Sequence, residues 1–398
     1  MSNNNCLEIG IVGAGTAGLA AAIALARAGH AVTVFEKHPG LVPLGAGILI
    51  QPQGVAALDA LGLKAAFLAA SVPVTRLLGT GHRNWTLVDI PYDEAEARGV
   101  SRAALSAVLL DAALALGVRL RYGCAVERIA VEGARASVHA IAGSASFDLV
   151  VIADGAASRL PAQVGLSVAS TVYKWGALWA MFDVAGWEGQ ALLEQRYWGT
   201  RRMFGLMPTA RVGGKLRLSM FWSLPCASYD AWTRRPIGEW KDELLALWPQ
   251  AAPVIEQIVS HNQFALATYR HARPRRLASG PVCVIGDAAH AMSPQLGLGS
   301  TLAVQDALAL AEEVAQHGAV DGAARYGARR RCAVRNYQML SRALTPCFQA
   351  DSGGLWRDIL FAAGLKLPGV QRLMYRSIAA PASALKQIPP DAGALRRD

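Results

Sequence analysis

The sequence predicts an α/β fold: a parallel sheet covered by helices, interrupted by an inserted antiparallel sheet and followed by a C-terminal helical segment. Three observations lead there. An apolar run, Leu7 to Val12, passes through Gly13-Ala14-Gly15-Thr16-Ala17-Gly18 into an alanine-rich helical stretch and a second apolar run, Ala31 to Phe35. Far downstream, the short apolar run Pro281 to Ile285 leads through Gly286-Asp287 and a glycine-containing turn into another helical pattern. Between them, Lys174–Val184, Leu193–Pro208 and Lys215–Leu224 are rich in aromatic residues and β-formers, broken by Gly199, Gly213 and Gly214, which is the texture of antiparallel strands.

Composition narrows the class. With 398 residues and 53% hydrophobic side chains the chain can fill two or three cores. No stretch approaches the ~18 uninterrupted apolar residues of a membrane span, and Met-Ser-Asn-Asn-Asn lacks a signal peptide's basic-then-apolar layout. The expectation is a cytoplasmic protein without stable membrane insertion. The cysteines (Cys6, Cys124, Cys226, Cys283, Cys332, Cys347) are scattered with no CxxC, so neither a metal site nor a disulfide framework is expected. The net charge of +10 is concentrated late, with 13 Lys+Arg against 5 Asp+Glu from Asp321 onward. No nucleic-acid-binding signature accompanies it, leaving a solvated basic face or attraction of a small anion.

The N-terminal run is a Rossmann-like βαβ unit. Its glycines allow a tight turn and close backbone approach, its helix N-terminus faces a pyrophosphate, and Glu36 ends the second strand where a ribose hydroxyl is held. By itself this motif does not separate FAD from NAD. A helix is predicted from Arg102 to about Leu116 with Ser101 as N-cap. A cation in its first turn opposes the helix dipole unless an anion sits there, so Arg102 is either a pyrophosphate contact or an exposed arginine.

Asp287 stands at the carboxyl end of a strand, where open α/β sheets place ligands. A carboxylate there repels a pyrophosphate but accepts hydrogen bonds from hydroxyls, and a ribityl chain has several. Pro294 fixes the following turn, Gly297 and Gly299 let the backbone approach something flat, and a helix from Ser300 to about Ala315 aims its positive end at it. The two glycine-rich segments thus describe opposite ends of one non-covalent FAD. His290, inside the second, is either a general base or a packed residue, and crowding favours the latter.

The motifs GAGTAG with Glu36, Arg102, Asp154-Gly155 in VVIADGAASRL, and GDAAHAMSPQLGLG, in this order and spacing, resemble the class A flavoprotein aromatic hydroxylases over roughly Leu7 to Leu344. These are the family of para-hydroxybenzoate and salicylate hydroxylases. The resemblance implies a single-component FAD monooxygenase that uses NADH or NADPH and O2 to hydroxylate a small aromatic or heteroaromatic molecule through a C4a-hydroperoxyflavin. An epoxidase or other oxygenase of a natural-product intermediate, and a non-catalytic flavin-binding sensor, are the alternatives. The implied cofactor contacts are Gly13, Gly15, Ala17, Gly18, Glu36, Lys37, Gly47, Ile48, Arg102, Val126, Asp154, Gly155, Gly286, Asp287, Gly297, Leu298, Gly299 and Ser300. Asp154 and Gly155 also take part in nicotinamide binding, and Pro294, Gly297 and Gly299 border the oxygen site. Gly45-Ala46-Gly47-Ile48 matches the segment beside which the flavin swings between exposed and enclosed positions. Leu298 stands where the family often has Gln, Thr301 where it has Asn, Gln305 where it has Glu, and Pro161 where an Arg is common. Backbone contacts survive such changes, so flavin binding is expected to survive.

The expected organisation is an FAD-binding domain of residues 1–76, 100–170 and 268–345, a substrate-binding domain of 77–99 and 171–267, and a helical tail of 346–398. Ala231 to Val259 reads as helical. Trp179, Phe204 and Phe221 are the candidate substrate contacts, on a sheet roofing the flavin and enclosing an apolar substrate. The tail packs on the body, forms a dimer interface or touches a membrane surface. The partners expected are the aromatic substrate, O2 and NAD(P)H, with the protein a monomer or homodimer.

Overall fold

The computed structural model describes residues 6–40, 47–92, 97–141, 143–166, 168–351 and 354–367. Its first sheet has six strands in the order Ala278–Ser279, Val282–Val284, Leu149–Ile152, Glu8–Val12, Ala31–Phe35 and Arg119–Arg121. All pairs are parallel except the edge pair made by Ala278–Ser279. Parallel strands are covered on both faces, and Leu149 to Ile152 are accordingly apolar at every position and fully buried. One cover is the helix Thr16–Arg27, buried from Ala17 to Leu25, where alanines let it lie close to its neighbours. Beside it runs the long helical span Gly299–Phe348, in which Gly318 (φ 78°, ψ −175°) ends a first helix close to the expected end near Ala315 and a second helix continues to Phe348.

The second sheet has seven strands in the order Ala265–Pro274, Val168–Val184, Lys215–Pro225, Arg202–Val212, Leu192–Trp198, Arg76–Gly81 and Thr86–Pro91. The single run Leu193–Pro208 is two strands that reverse at Gly199 (φ 57°). Pairing is antiparallel except where Leu192–Trp198 lies parallel to Arg76–Gly81, which brings a hairpin from early in the chain into the inserted sheet. One face is covered by the helices Tyr229–Arg234, Ile237–Leu247 and Ala252–Ile255, which divide the stretch expected to be helical. Trp232, Trp240 and Trp248 fill that side together with Phe204 and Trp222. The other face carries Tyr197, Met203, Met207 and Phe221.

A three-stranded sheet, Gly47–Ile50, Ala97–Ser101 and Val72–Val74, lies against this second face, and another, Val126–Glu132, Arg135–Ala140 and Gly143–Phe147, adjoins the first sheet. The C-terminal helix Gly354–Gly364 sets Phe361 against Phe348, with ring centroids 5.7 Å apart, beside the Tyr197 and Phe221 cluster. The tail beyond Leu367 lies outside the described residues, as do Gly45 and Ala46 of the expected flavin-swing segment. Among the described residues no helix is long and apolar enough to cross a membrane, and no His, Cys, Asp and Glu cluster could hold a metal ion.

Candidate active site

Strand, turn and helix at the N-terminus form the expected cradle. Gly13 has φ 101°, and a Cβ on Gly18 would stand 1.9 Å from the Gly13 carbonyl oxygen, so only glycine permits this strand–helix approach. Gly15 caps the helix without a side-chain hydrogen bond, which leaves the first helical N–H groups open to an anion. Glu36 accepts from the backbone N–H of Ala14 (2.8 Å) and of His38 (3.0 Å) and stays partly exposed. Lys37 is exposed beside it. Asp154 follows the adjacent strand, just before Gly155 at φ 92°. Burial pushes its carboxyl above the usual range, while Ser158 and the charge of Lys37 pull it back.

The second glycine-rich segment meets the first directly. Gly286 (φ 59°) lies so close to the helix that a Cβ on it would be 2.5 Å from that of Ala17. Its N–H donates to Asp306 Oδ2 (3.0 Å), which also accepts from His290 Nε2 (2.5 Å), and Arg330 Nε donates to Asp306 Oδ1 (2.7 Å). Burial alone would raise the Asp306 pKa, but the charges of His290 and Arg330 outweigh it and hold the carboxyl at about 2. The His290 side chain is fully buried, so it is a strut of the motif and not a base open to substrate.

Asp287 is exposed to the cleft, and a Cβ on Gly299 would lie 3.9 Å from its Oδ1. Pro294 opens a single 3-10 turn that ends at Gly297, φ 63°. Leu298 sends its side chain into a small apolar cluster with Leu296 and Leu302, so having Leu there leaves the cleft unaltered. The long helix begins next with no side-chain cap and no acid in its first turn, and Ser300 is half-buried there. Gln51, 1% exposed, faces Gly297, and its Oε1 has no hydrogen-bond partner among the described residues, nor does the buried Thr301 Oγ1. Buried polar atoms cost roughly 1–3 kcal/mol each when unpaired, which fits a polar ligand between them.

Gly47 and Ile48 start the strand that leads to Gln51, with Gly47 opposite Ser101 and Ile48 opposite Val100. The Gly47 N–H donates to Ser219 Oγ (2.9 Å), and a Cβ on Gly47 would fall 2.5 Å from Ser219 Cβ and 2.6 Å from Thr209 Cγ2. Glycine is needed there for space and not for a positive φ. Ser101 caps the next helix by accepting from Ala104 N–H (3.1 Å), which leaves Arg102 exposed in the first turn. Val126 is partly buried against the core of the first sheet.

Above the cleft, Trp179, Phe221, Gly205 and Gln195 form one cross-strand row. The Trp179 and Phe221 rings are 5.1 Å apart, and the Phe221 ring lies over Gly205, where a Cβ would meet it at 1.9 Å. Phe204 belongs to the neighbouring row with Leu178 and Trp222 and is fully buried under the covering helices, so the structure separates it from the other two candidates. Tyr269 completes the roof, with Trp179 Nε1 donating to its hydroxyl (3.4 Å). Burial raises its pKa, opposed in part by that hydrogen bond and by the charge of Arg102. Neither Tyr269 nor Gln195 was legible in the sequence, because each sits in a strand without clean alternation.

Residues 7–339 match the family model described as FAD binding domain. The chain belongs to the class A FAD-dependent monooxygenases. This monooxygenase is 30% identical over 316 residues to a probable 2-heptyl-3-hydroxy-4(1H)-quinolone synthase of Rhodococcus erythropolis, covering 76% of this chain and 78% of that protein. Its fold is shared by a variant of 2-methyl-3-hydroxypyridine-5-carboxylic acid oxygenase, with a TM-score of 0.78 and 21% identity over 93% of this chain and 96% of the other. A Klebsiella pneumoniae protein complexed with FAD and uric acid has a TM-score of 0.78 at 23% identity, over 92% and 95% of the two chains. FAD is therefore the cofactor of this monooxygenase, and the orphaned Gln51 and Thr301 oxygens and the two uncapped helix starts suit it chemically.

Proposed function

We propose that this monooxygenase uses NAD(P)H and O2 to hydroxylate a flat, uncharged heteroaromatic compound held under the row Trp179, Phe221 and Gly205. One observation carries the substrate class. Among the described residues on this face, Trp179, Phe221, Gly205, Gln195, Ser219 and Tyr269 are neutral, Arg217 is tied up by a bidentate pair with its cross-strand partner Asp183 (2.7 and 2.8 Å), and Arg102, whose charge reaches Tyr269, is the cation assigned to the cofactor pyrophosphate. With Arg217 paired to Asp183 and Arg102 engaged by the pyrophosphate, a carboxylate entering this space would lose its hydration without a free cation to receive it, which costs several kcal/mol. A ring that stacks on Trp179 and Phe221 and takes a hydrogen bond from the Tyr269 hydroxyl or the Gln195 amide meets no such cost. The quinolone named for the Rhodococcus relative is of this class.

The remaining residues have matching roles. The turn from Gly13 to Gly18 and Arg102 hold the pyrophosphate, Glu36 a ribose, and Asp287 the ribityl hydroxyls. When bound, the flavin supplies electron transfer from the nicotinamide and activation of oxygen. The protein excludes water with the roof and keeps the Tyr269 phenol protonated by burying it. Gly297 and Gly299, in the turn that Pro294 opens, offer bare backbone beside the oxygen site, and the uncapped start of the long helix favours negative charge near it. Lys37 is exposed, and with the half-buried Asp154 and Gly155 it would meet a transient nicotinamide nucleotide.

The test is substrate-stimulated NAD(P)H oxidation with matched pairs: quinolones and hydroxypyridines against their carboxylated analogues, salicylates and hydroxybenzoates. Stimulation of at least roughly tenfold by the uncharged set, with an added oxygen atom in the product, equals about 1.4 kcal/mol off the barrier. Stimulation confined to carboxylates would refute the proposed class.

A further inference from the structure

The C-terminal helix has its polarity inverted. Its two charged residues, Arg357 and Asp358, are 0% and 2% exposed. Arg357 donates to Asp358 Oδ1 (2.7 Å), Cys347 O (2.9 Å) and Gly199 O (2.6 Å), with its guanidinium 5.1 Å from the Tyr197 ring and 5.8 Å from that of Phe348. The outward side carries Leu355, Trp356, Ile359 and Leu360, each about half exposed, and continues to Leu367 at 61%. Their spacing of one, three and one residues draws a single stripe along the helix. A helix anchored by a buried ion pair while showing water a continuous apolar face is built to have that face covered.

We propose that this stripe docks on the surface of an anionic phospholipid bilayer. Two features select that occupant. Lys366 is exposed at the end of the stripe, Arg201 is exposed two residues from Gly199, on which Gly354 packs, and the chain as a whole carries a net charge of +10. A second copy of the chain would bring the same Lys366 and Arg201 to a twofold interface between two net-positive molecules, whereas an anionic headgroup layer neutralises them. Trp356 lies mid-stripe, and aromatic side chains favour the depth of the interface. Binding is interfacial, because no described helix is long and apolar enough to cross. The inner side of the same helix adjoins the roof through Phe361, so docking sets the substrate chamber next to the lipid. The inference does not depend on which aromatic compound is oxidised.

The experiment is flotation of the full-length, FAD-loaded protein with vesicles of phosphatidylcholine alone or mixed with phosphatidylglycerol. The wild type should float with the mixed vesicles, float less at high salt, and remain behind with phosphatidylcholine. Ile359→Ser combined with Leu360→Ser should reduce partitioning at least tenfold while flavin absorbance per chain and elution volume stay unchanged. A wild type that does not float with mixed vesicles overturns the proposal, as does a variant that floats equally well. A dimer in light scattering that the double variant dissociates would assign the stripe to a second copy and likewise overturn it. Should the double variant lose its flavin, Trp356→Ser alone, held to the same criteria, replaces it.

Discussion

Gly286 rests against Ala17, so closely that a methyl group on the glycine would sit 2.5 Å from the Ala17 methyl. Two segments separated by most of the chain are thereby locked in one arrangement, the first carrying the turn proposed for the pyrophosphate and the second the residue proposed for the ribityl hydroxyls. Gly286→Ala meets both a clash and a left-handed φ of 59°, a combined strain on the order of 1–3 kcal/mol. The expected outcome is a folded protein with a lower melting temperature that loses FAD on gel filtration. Flavin absorbance per chain before and after the column measures it.

Removing individual cofactor contacts should separate by salt dependence. Asp287→Ala is expected to weaken FAD binding by about 1–3 kcal/mol at any ionic strength, because it leaves hydroxyls unpaired. Arg102→Ala should weaken it most at low salt and progressively less as salt screens the pyrophosphate. Fluorescence titration of the apoprotein with FAD across a salt series distinguishes the two. A flat Arg102→Ala response would return that residue to being an exposed arginine.

Gly47→Ala is expected to impair turnover through the roof. The added methyl meets Ser219 and Thr209, so the strand and the sheet above it must part. Reduction of the flavin by NAD(P)H in stopped flow should slow more than FAD affinity falls. Pairing Gly47→Ala with Ser219→Gly and Thr209→Ser makes room and should restore much of the rate. An equally slow triple variant would show that space is not the cause.

The Asp306 cluster predicts an acid limit. A carboxyl held at about 2 when folded, against a normal value near 3.8, adds stability that is fully present above the unfolded pKa. It is lost as pH falls through the folded value, so the window is roughly pH 4 to 2 and the amount about 2 kcal/mol. Asp306→Asn leaves Arg330 buried beside a neutral partner and should cost about 3–5 kcal/mol at neutral pH while flattening this acid dependence. Urea midpoints of both proteins at stepped pH values test it.

What the sequence disclosed was local. Gly13, Gly18 and Glu36 are legible because strand, turn and helix are contiguous and each glycine answers a steric demand within its own unit. Ser101 as N-cap is legible for the same reason. Phe204 and Phe221 look alike in the sequence, and only the cross-strand register puts one under the covering helices and the other over the cleft. His290 could be weighed but not assigned, since its partner Asp306 lies across a turn and about two helical turns away and the other cation on that carboxylate, Arg330, beyond the bend at Gly318. The inward turn of Arg357 and Asp358 contradicts what a charge pair on a helix usually signals, and it depends on carbonyls of Gly199 and Cys347 that no helical pattern reveals.

The parallel pairing of Arg76 with Leu192 has a consequence for how the protein is made. At translation speeds of about 5–20 residues per second, the early hairpin leaves the ribosome on the order of ten seconds before its partner strand exists. During that interval Leu77, Leu87 and Val88, all bound for the interior, have nothing to pack on, and the hairpin's open edge can capture another nascent chain. Non-local pairing of this kind also slows folding once synthesis ends. Yield in a heterologous host should therefore respond to cooler growth and to chaperones that shield that hairpin, and a shortened chain that ends before Leu192 should aggregate even with flavin in excess.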